Sequence, residues 1–290
     1  MTSRQSEIMD RITKIPLLSH SSTLLLQMMS DENYSVEKVE KIVSRDNVLT
    51  AKILKIVNSA AFALSRKITT VREAIPYLGT RLIQSLALSS SAKEVFGKKL
   101  SGYCAENEES LWAHSLKTAV ASRQIADYCK TELKKETAFT CGILHDIGKS
   151  VISSYIISEN RVEDIIAEIQ ENPNADFLSL EERYVGMNHT QAGYLLSKHW
   201  ELPEIFQYVI LLHHSPTDRE EEYRNYCFCV HLADTVAQMT GEGTGIDSMR
   251  YSLNENYTEY FKIDDTAIQK LIIRVEEEFR HIHKIFFEEN

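Results

Sequence analysis

The chain has few of the residues that interrupt helices: its 290 residues include only 10 glycines and 5 prolines. Because these two residues supply most tight turns, their scarcity argues against many short strands and favours long helices. No run approaches the roughly 18 apolar residues that a membrane-spanning helix requires, and the N-terminus lacks the apolar centre of a signal peptide. We therefore expect an all-α protein that does not insert into a membrane, with the cytoplasm as its default compartment.

Basic clusters and a cysteine framework are also missing. The formal net charge is −10 and no long basic block occurs, so direct binding to nucleic acid or to an anionic membrane is not favoured. The 5 cysteines are an odd number without regular spacing, which argues against a secreted disulfide scaffold. What remains is an ordinary globular composition, 43% hydrophobic and 26% charged, in a chain long enough for one or two domains.

Apolar periodicity and capping residues predict helices along the chain. In the first part, Ser35 and the capping box Thr70–Glu73 mark helix starts, and Gly79 marks a helix end. A polar stretch at 97–109 separates this part from the second, and the glycines of 241–245 predict a flexible break. In the second part the predicted helices are 110–129, 136–156, 160–171, 179–185, 189–199, 203–213, 222–240 and 266–286.

The second part carries the adjacent pair His145-Asp146 inside an apolar, helix-prone stretch, and both side chains bind divalent metals well. Further metal-capable residues stand on either side of the pair: His114, His189, His213, His214 and Asp234. Asp234 lies on a mostly apolar predicted helix, where a buried carboxylate is costly unless it is paired or bound to a cation. The series therefore predicts a site for one or two divalent ions, built by side chains from several helices.

Each of these residues taken alone has an ordinary structural interpretation. A single histidine on an apolar helix is more often a buried core residue than a metal ligand, and Asp146 alone could cap a helix or pair with Lys149. The ordered series favours the metal interpretation, because the structural one needs a run of independent coincidences.

The series resembles the ligand set of the HD superfamily of metal-dependent phosphohydrolases. In that superfamily the first histidine, the HD pair and a late aspartate hold one metal ion. The resemblance therefore implies that the first ion is held by His114, His145, Asp146 and Asp234.

Members of the superfamily with two metal ions add a second set of ligands. There the aspartate of the HD pair bridges the ions, which implies that Asp146 contacts both here. The second ion would take His189 with His213 or His214. Lys149 matches a lysine that some members direct at a phosphate.

The first part of the chain looks like the HDOD domain, the HD-related output domain of bacterial signalling proteins. The motifs that carry this likeness are 15–18, 48–60, 68–74 and 77–79, together with 112–115 and 144–148. The likeness runs from about residue 11 to residue 240. It departs from the family at turns, where Ser19 and Asn47 stand in place of the usual prolines.

The HDOD resemblance implies a multi-helix HD-type domain preceded by a helical N-terminal subdomain. Residues 1–98 would be the N-terminal helical part, and residues 99–290 the metal-binding domain with a C-terminal helical extension. Many HDOD domains have lost the metal ligands, whereas this chain has the full set. We therefore predict a cytoplasmic signal-transduction or regulatory protein with a retained divalent-metal site. Its partner is expected to be a separate signalling protein.

The alternative is an active metal-dependent phosphohydrolase that acts on a nucleotide or another phosphoester. Asp146 and Lys149 would then be catalytic: Asp146 would bridge the ions, Lys149 would hold a phosphate oxygen, and the metal would activate the attacking water. His213 or His214 would be a ligand or a proton donor. Hydrolysis of cyclic di-GMP is disfavoured, because 213–218 lacks the Gly-Tyr-Pro run of the related phosphodiesterases.

A third alternative is a di-iron oxygenase, since sites rich in histidine and carboxylate also bind iron. No feature of the sequence separates this alternative from hydrolysis. The residues also do not distinguish Fe, Mn, Ni, Zn and Mg as the bound metal.

Overall fold

The computed structural model of the protein describes residues 3–29, 35–59, 62, 64–91, 95, 97, 99–105, 110–129, 133–217, 221–241 and 243–287. Within these ranges the chain forms 15 α-helices and no strand, which confirms the all-α prediction. None of the described helices is both long and apolar enough to cross a lipid bilayer.

The helices are numbered here in chain order. They are α1 Ser3–Thr13, α2 His20–Met29, α3 Val36–Val43, α4 Asn47–Val57, α5 Val71–Ser91, α6 Ser110–Tyr128, α7 Lys135–Leu144, α8 Gly148–Ser158, α9 Val162–Glu171, α10 Phe177–Val185, α11 His189–His199, α12 Glu204–Leu212, α13 Glu221–Met239, α14 Tyr257–Tyr260 and α15 Asp265–Phe287. The prediction of one continuous helix over 136–156 is wrong, because α7 and α8 are separated by a turn at 145–147.

Local chemistry explains where several helices begin and end. The Ser35 side chain accepts a hydrogen bond from the backbone N–H of Lys38 at the start of α3. Asn188 forms a capping box with Gln191, which fixes the start of α11. Gly79 has φ +71° and interrupts α5, so this element consists of two helical segments with a break where the sequence predicted a helix end.

By packing, the chain divides into two compact units. One comprises Met1–Pro16 with Glu94–Glu276, and the other comprises Leu17–Lys93 with Glu277–Asn290. The core of the second unit is formed by the apolar faces of α3, α4 and α5, where Val39 and Ile53 are fully buried. The division into 1–98 and 99–290 concerns functional modules rather than compactness, and it stays a prediction.

Two glycines allow helices of the larger unit to meet backbone to backbone. A Cβ added at Gly142 would lie 2.6 Å from Cα of Ala119, so α7 crosses α6 without an intervening side chain. A Cβ added at Gly148 would overlap the backbone oxygen of His189 and lie 2.5 Å from the backbone nitrogen of Gly193. These contacts place the turn between α7 and α8 beside both α6 and α11.

Candidate metal centre

His145 and Asp146 lie on the turn between α7 and α8, and both side chains are buried. The turn is closed by a hydrogen bond of 2.9 Å from the backbone N–H of Lys149 to the backbone oxygen of Asp146. His145 ends α7 in a helical conformation, and its Nδ1 lies 2.8 Å from the backbone oxygen of Gly142. The turn therefore presents the two side chains side by side to the interior of the larger unit.

A first group of side chains converges on one face of Asp146. Nε2 of His114, from α6, lies 3.4 Å from Oδ2 of Asp146 and 3.1 Å from Oδ1 of Asp234, which belongs to α13. Nε2 of His145 lies 3.3 Å from Nε2 of His114 and 3.3 Å from Oδ2 of Asp146. The four residues that the HD resemblance assigned to a first ion are thus neighbours in the fold.

A second group converges on the other oxygen of the same carboxylate. Nε2 of His189, at the start of α11, and Nε2 of His213, at the end of α12, each lie 3.4 Å from Oδ1 of Asp146. Nε2 of His214 lies 3.2 Å from Nε2 of His189. One ligand atom from each of these four residues lies within 4.8 Å of the others. Asp146 therefore stands between the two groups and belongs to both.

The hydrogen bonds of three imidazoles fix which ring nitrogen faces the centre. Nδ1 of His145 and Nδ1 of His213 point at backbone carbonyl oxygens, and Nδ1 of His189 lies 2.8 Å from Oε2 of Glu181. Because these oxygens only accept, each Nδ1 carries a proton, and Nε2 is the ring nitrogen that faces Asp146. Three Nε2 atoms directed at one carboxylate are an arrangement that a cation satisfies.

The buried polar atoms of the centre also lack ordinary partners. Oδ1 and Oδ2 of Asp146 and Nε2 of His213 accept or donate no hydrogen bond within the described residues. Oδ2 of Asp146 does pair with Nζ of Lys149 at 2.7 Å. Oδ1 has no comparable partner among the described residues; leaving a buried carboxylate oxygen unpaired is costly, and a divalent cation removes that cost. The residues present thus fit a metal ion, although their role as ligands stays a prediction.

Burial keeps two of the histidines neutral. It lowers the pKa of His213 to about 4, and burial together with the neighbouring His213 holds the pKa of His214 well below its ordinary value. Neutral imidazole is the form that binds metals, so these two side chains are available at neutral pH.

In the first group, by contrast, His114 is protonated. Burial acts to lower the pKa of His114, but the Asp146 and Asp234 carboxylates beside its ring raise it to about 10. Burial would likewise raise the pKa of Asp146, yet the proximity of His145 and Lys149 holds it well below its ordinary value. Protonated His114 thus supplies positive charge between two carboxylates, in the place that a cation would take.

Glu181 of α10 was not predicted as a site residue, although it is fully buried beside the second group. It accepts from the backbone N–H of His189 at 2.7 Å as well as from its ring, and it accepts a short hydrogen bond from the Tyr103 hydroxyl. The one sequence signal is the period of α10, which puts Glu181 on the same buried face as Phe177 and Val185. Glu181 therefore orients His189 from behind.

Lys149 is buried and fully engaged. Its Nζ lies 2.7 Å from Oδ2 of Asp146 and 2.7 Å from Oδ2 of Asp247, and it donates to Oγ1 of Thr244 at 2.9 Å. Burial acts to lower the pKa of Lys149, but Asp146 and Asp247 raise it above its ordinary value, so the ammonium is charged. Thr244 lies within 241–245, whose glycines predicted a flexible break, and Asp247 lies two residues beyond it; the sequence singled out neither residue.

Most of the sequence matches known proteins. A family model, the HDOD domain, matches residues 15–216. An uncharacterized protein of Treponema pallidum (strain Nichols) is 26% identical over 242 residues, which cover 83% of this chain and 46% of that protein. The chain thus spans about half the length of this curated relative.

Solved structures share the fold. An HDOD domain protein of unknown function from Geobacter sulfurreducens is 22% identical with a TM-score of 0.73, and the match covers 98% of each chain. A proposed signal transduction protein from Marinobacter aquaeolei is 15% identical with a TM-score of 0.78, over 97% of this chain and 64% of the other. A proposed phosphohydrolase from Shewanella amazonensis is 22% identical with a TM-score of 0.65, over 96% and 97%. At these identities the likeness establishes the fold alone.

Proposed function

We propose that this chain, which belongs to the HDOD domain family, is a signal-transduction module whose HD-type centre binds one or two divalent metal ions. The observation that carries the proposal is the position of Asp146. Its Oδ2 faces His114 and His145, while its Oδ1 faces His189 and His213. A carboxylate placed in this way can bridge two ions or complete the coordination of one.

The two groups differ in their donor atoms. In the first proposed position the ion is held by His114, His145, Asp146 and Asp234. In the second it is held by Asp146, His189, His213 and His214. The first set has two carboxylates and two imidazoles, whereas the second has one carboxylate and three imidazoles. Both sets suit the divalent transition metals, and the nitrogen-rich second set favours Fe, Zn or Ni over Mg.

A regulatory role is favoured by how closed the centre is. His114, His145, His189 and His213 have no exposed surface, and the Lys149 ammonium is engaged with side chains of the protein. Metal sites that stabilise a fold are closed, whereas catalytic sites keep a position open for water or substrate. We therefore propose that the ion sets the conformation that a separate signalling protein recognises.

The second candidate function is hydrolysis of a nucleotide or another phosphoester. It is favoured by the charged Nζ of Lys149, 2.7 Å from the carboxylate that would touch both ions. Divalent ions in such a site polarise phosphoryl oxygens and lower the pKa of water. Lys149 would hold a phosphate oxygen, and the neutral ring of His214 would accept or donate a proton.

The metal content of purified protein tests the first proposal. Protein prepared without chelator should contain about one or two transition-metal ions per chain, and Asp146→Ala should lose most of them because both groups share that residue. Asp10→Ala is the matched control, since its carboxylate is 63% exposed and pairs with Lys14 on the surface. Wild-type protein that takes up no Mn, Fe, Ni or Zn under reconstitution would contradict the proposal.

A phosphoester screen separates the two candidate functions. Metal-loaded protein is assayed with nucleotides and a general phosphodiester in the presence of manganese or iron. Turnover that Asp146→Ala and Lys149→Ala both abolish would support the hydrolase. Protein that is fully loaded with metal and inactive on every substrate would support the module.

A further inference from the structure

The metal centre is covered by a stretch of chain that contributes no predicted metal ligand. This stretch, residues 243–254 and called here the cover segment, follows α13 and contains neither helix nor strand. Its two buried residues, Thr244 and Asp247, are both polar, and both contact Nζ of Lys149. The side chains that the segment buries most completely are thus directed at the lysine of the centre.

Tyr251 covers the second group of candidate ligands. Its ring is stacked on that of His214, with centroids 3.9 Å apart and planes at 19°, and its centroid lies 5.7 Å from that of His189. Its hydroxyl donates to Oδ2 of Asp247 at 3.0 Å, and Nζ of Lys149 lies 5.2 Å from its ring centroid. Ring and carboxylate are therefore linked, and they close the centre together.

The rest of the cover segment is held by hydrogen bonds rather than by apolar packing. The backbone N–H of Met249 donates to Oε1 of Gln238, and the Arg250 guanidinium donates to the backbone oxygen of Pro173. The backbone N–H of Ile246 donates to the backbone oxygen of Tyr103 at 2.8 Å, and that of Asn254 donates to Nε2 of His231 at 2.8 Å. None of its apolar side chains is fully buried, and Met249 is 61% exposed. A segment with so little buried apolar surface opens at a lower free energy than the helices around it.

The N–H donors of the Lys149 ammonium are all occupied while the cover segment is in place. An ammonium has three N–H donors, and those of Lys149 face Asp146, Asp247 and Thr244. A phosphate oxygen can reach this ammonium only if one of the three leaves. Asp146 is held among the histidines, whereas Asp247 and Thr244 both belong to the cover segment and can leave together.

We propose that the cover segment is a displaceable internal ligand, in which the Asp247 carboxylate occupies the place of a phosphate group of the molecule that the centre binds. Carboxylate and phosphate are both anionic acceptors for a charged amine, so they compete for the same donors. The inference rests on the proposed function, since it takes the metal centre and Lys149 as the binding site. The closed state is then the resting state of the module, and a phosphate-containing ligand opens it.

Inorganic phosphate is the probe for the first test. Its dissociation constant is measured by calorimetry on the full-length protein loaded with manganese. Asp247→Asn keeps the shape of the side chain and removes its charge, so phosphate should bind roughly 10- to 100-fold more tightly than to the wild type. Met249→Ala, in the same segment but exposed, should bind as the wild type does. A nucleoside monophosphate in place of phosphate shows whether a nucleoside adds affinity.

A second variant guards against misfolding of the first. Tyr251→Phe keeps the ring on His214 and removes the hydrogen bond to Asp247, so phosphate should bind about 2- to 10-fold more tightly. Hydrogen exchange on the wild type needs no variant at all. Saturating phosphate should speed exchange at the amides of Ile246 and Asn254, because displacement of the segment breaks both of their hydrogen bonds.

Two results would contradict displacement of the cover segment by phosphate. If the segment is only a structural part of the fold, phosphate leaves those two amides unchanged or slows their exchange, and Asp247→Asn binds phosphate no more tightly. Either result overturns the inference while the metal centre stands. Failure of the wild type to bind any metal would instead contradict the proposed function, and metal content is therefore measured first.

Discussion

Gly148 connects the helix packing to the candidate metal centre, and Gly148→Ala tests that connection. An added Cβ would overlap the backbone oxygen of His189 and lie 2.5 Å from the backbone nitrogen of Gly193. Ordinary carbon contacts are about 3.5 to 4 Å, so α8 and α11 must separate by about 1 Å or more. Overpacking of this kind lowers the free energy of unfolding by about 1 to 3 kcal/mol. A loss of about 2 kcal/mol lowers the Tm of a chain of this size by roughly 4 to 8 °C.

The same displacement should weaken the second metal position. Asp146 precedes Gly148 on the turn, and its Oδ1 lies 3.4 Å from Nε2 of His189 at the start of α11. A shift of about 1 Å exceeds the tolerance of a metal–ligand bond, which is about 0.2 Å. Gly148→Ala should therefore bind the ion of the second group at least about tenfold more weakly. The ion of the first group should be affected less, because His114 and Asp234 lie on α6 and α13, away from the displaced contact.

The assay is a competition titration with a coloured chelator, run beside a thermal melt. Gly79→Ala is a control matched in stability: no atom of the described residues lies within 4 Å of the added Cβ, but φ is +71°. A non-glycine residue there costs about 1 to 2 kcal/mol of backbone strain in the other compact unit. Gly79→Ala should lower Tm and leave metal affinity unchanged. Equal metal affinities for wild type and Gly148→Ala would show that the contact between Gly148 and His189 does not control the second metal position.

Three further predictions concern the same centre. Glu181→Gln should weaken binding of the second ion about 10- to 100-fold in a chelator competition, because the substitution weakens the hydrogen bonds that orient His189. A change in affinity below about twofold would contradict this. The pKa of His114 is raised from 6.5 to about 10, so its ring is protonated at pH 8. A metal ion that binds to His114 must therefore release about one proton. Calorimetry should detect this release as a binding enthalpy that depends on the buffer. The same heat in every buffer would contradict that assignment. Protein stripped of metal by a chelator should have a Tm roughly 5 to 10 °C lower than protein with free metal at a concentration of about 100 Kd. An unchanged Tm would argue against a resident ion.

Much of the centre could be predicted from residue type and order. His114, Asp146 and Asp234 stand on apolar predicted helices, where an ionisable side chain is conspicuous because burial is costly. The structure places Nε2 of His114 3.4 Å from Oδ2 of Asp146 and 3.1 Å from Oδ1 of Asp234. The capping box at Asn188 correctly marks the start of the helix that carries His189. Such signals are local in the sequence, which is why they can be recognised without coordinates.

What could not be predicted depends on contacts between distant residues. Nothing near 145–147 marks the end of a helix, because Gly148 is permitted within one; the turn accompanies a backbone contact between Gly148 and His189 of another helix. Asp247 lies in a stretch with no regular period, so no pattern indicates that it reaches Lys149, 98 positions earlier in the printed sequence. Positions of this kind are set by the fold and not by local propensity.

The most direct test of the central claim is an anomalous difference map from crystals grown with manganese or zinc. The account predicts a peak bonded to Oδ2 of Asp146 beside His114 and His145, a peak bonded to Oδ1 beside His189 and His213, or both. A fully loaded crystal whose peaks all lie away from Asp146 would contradict it.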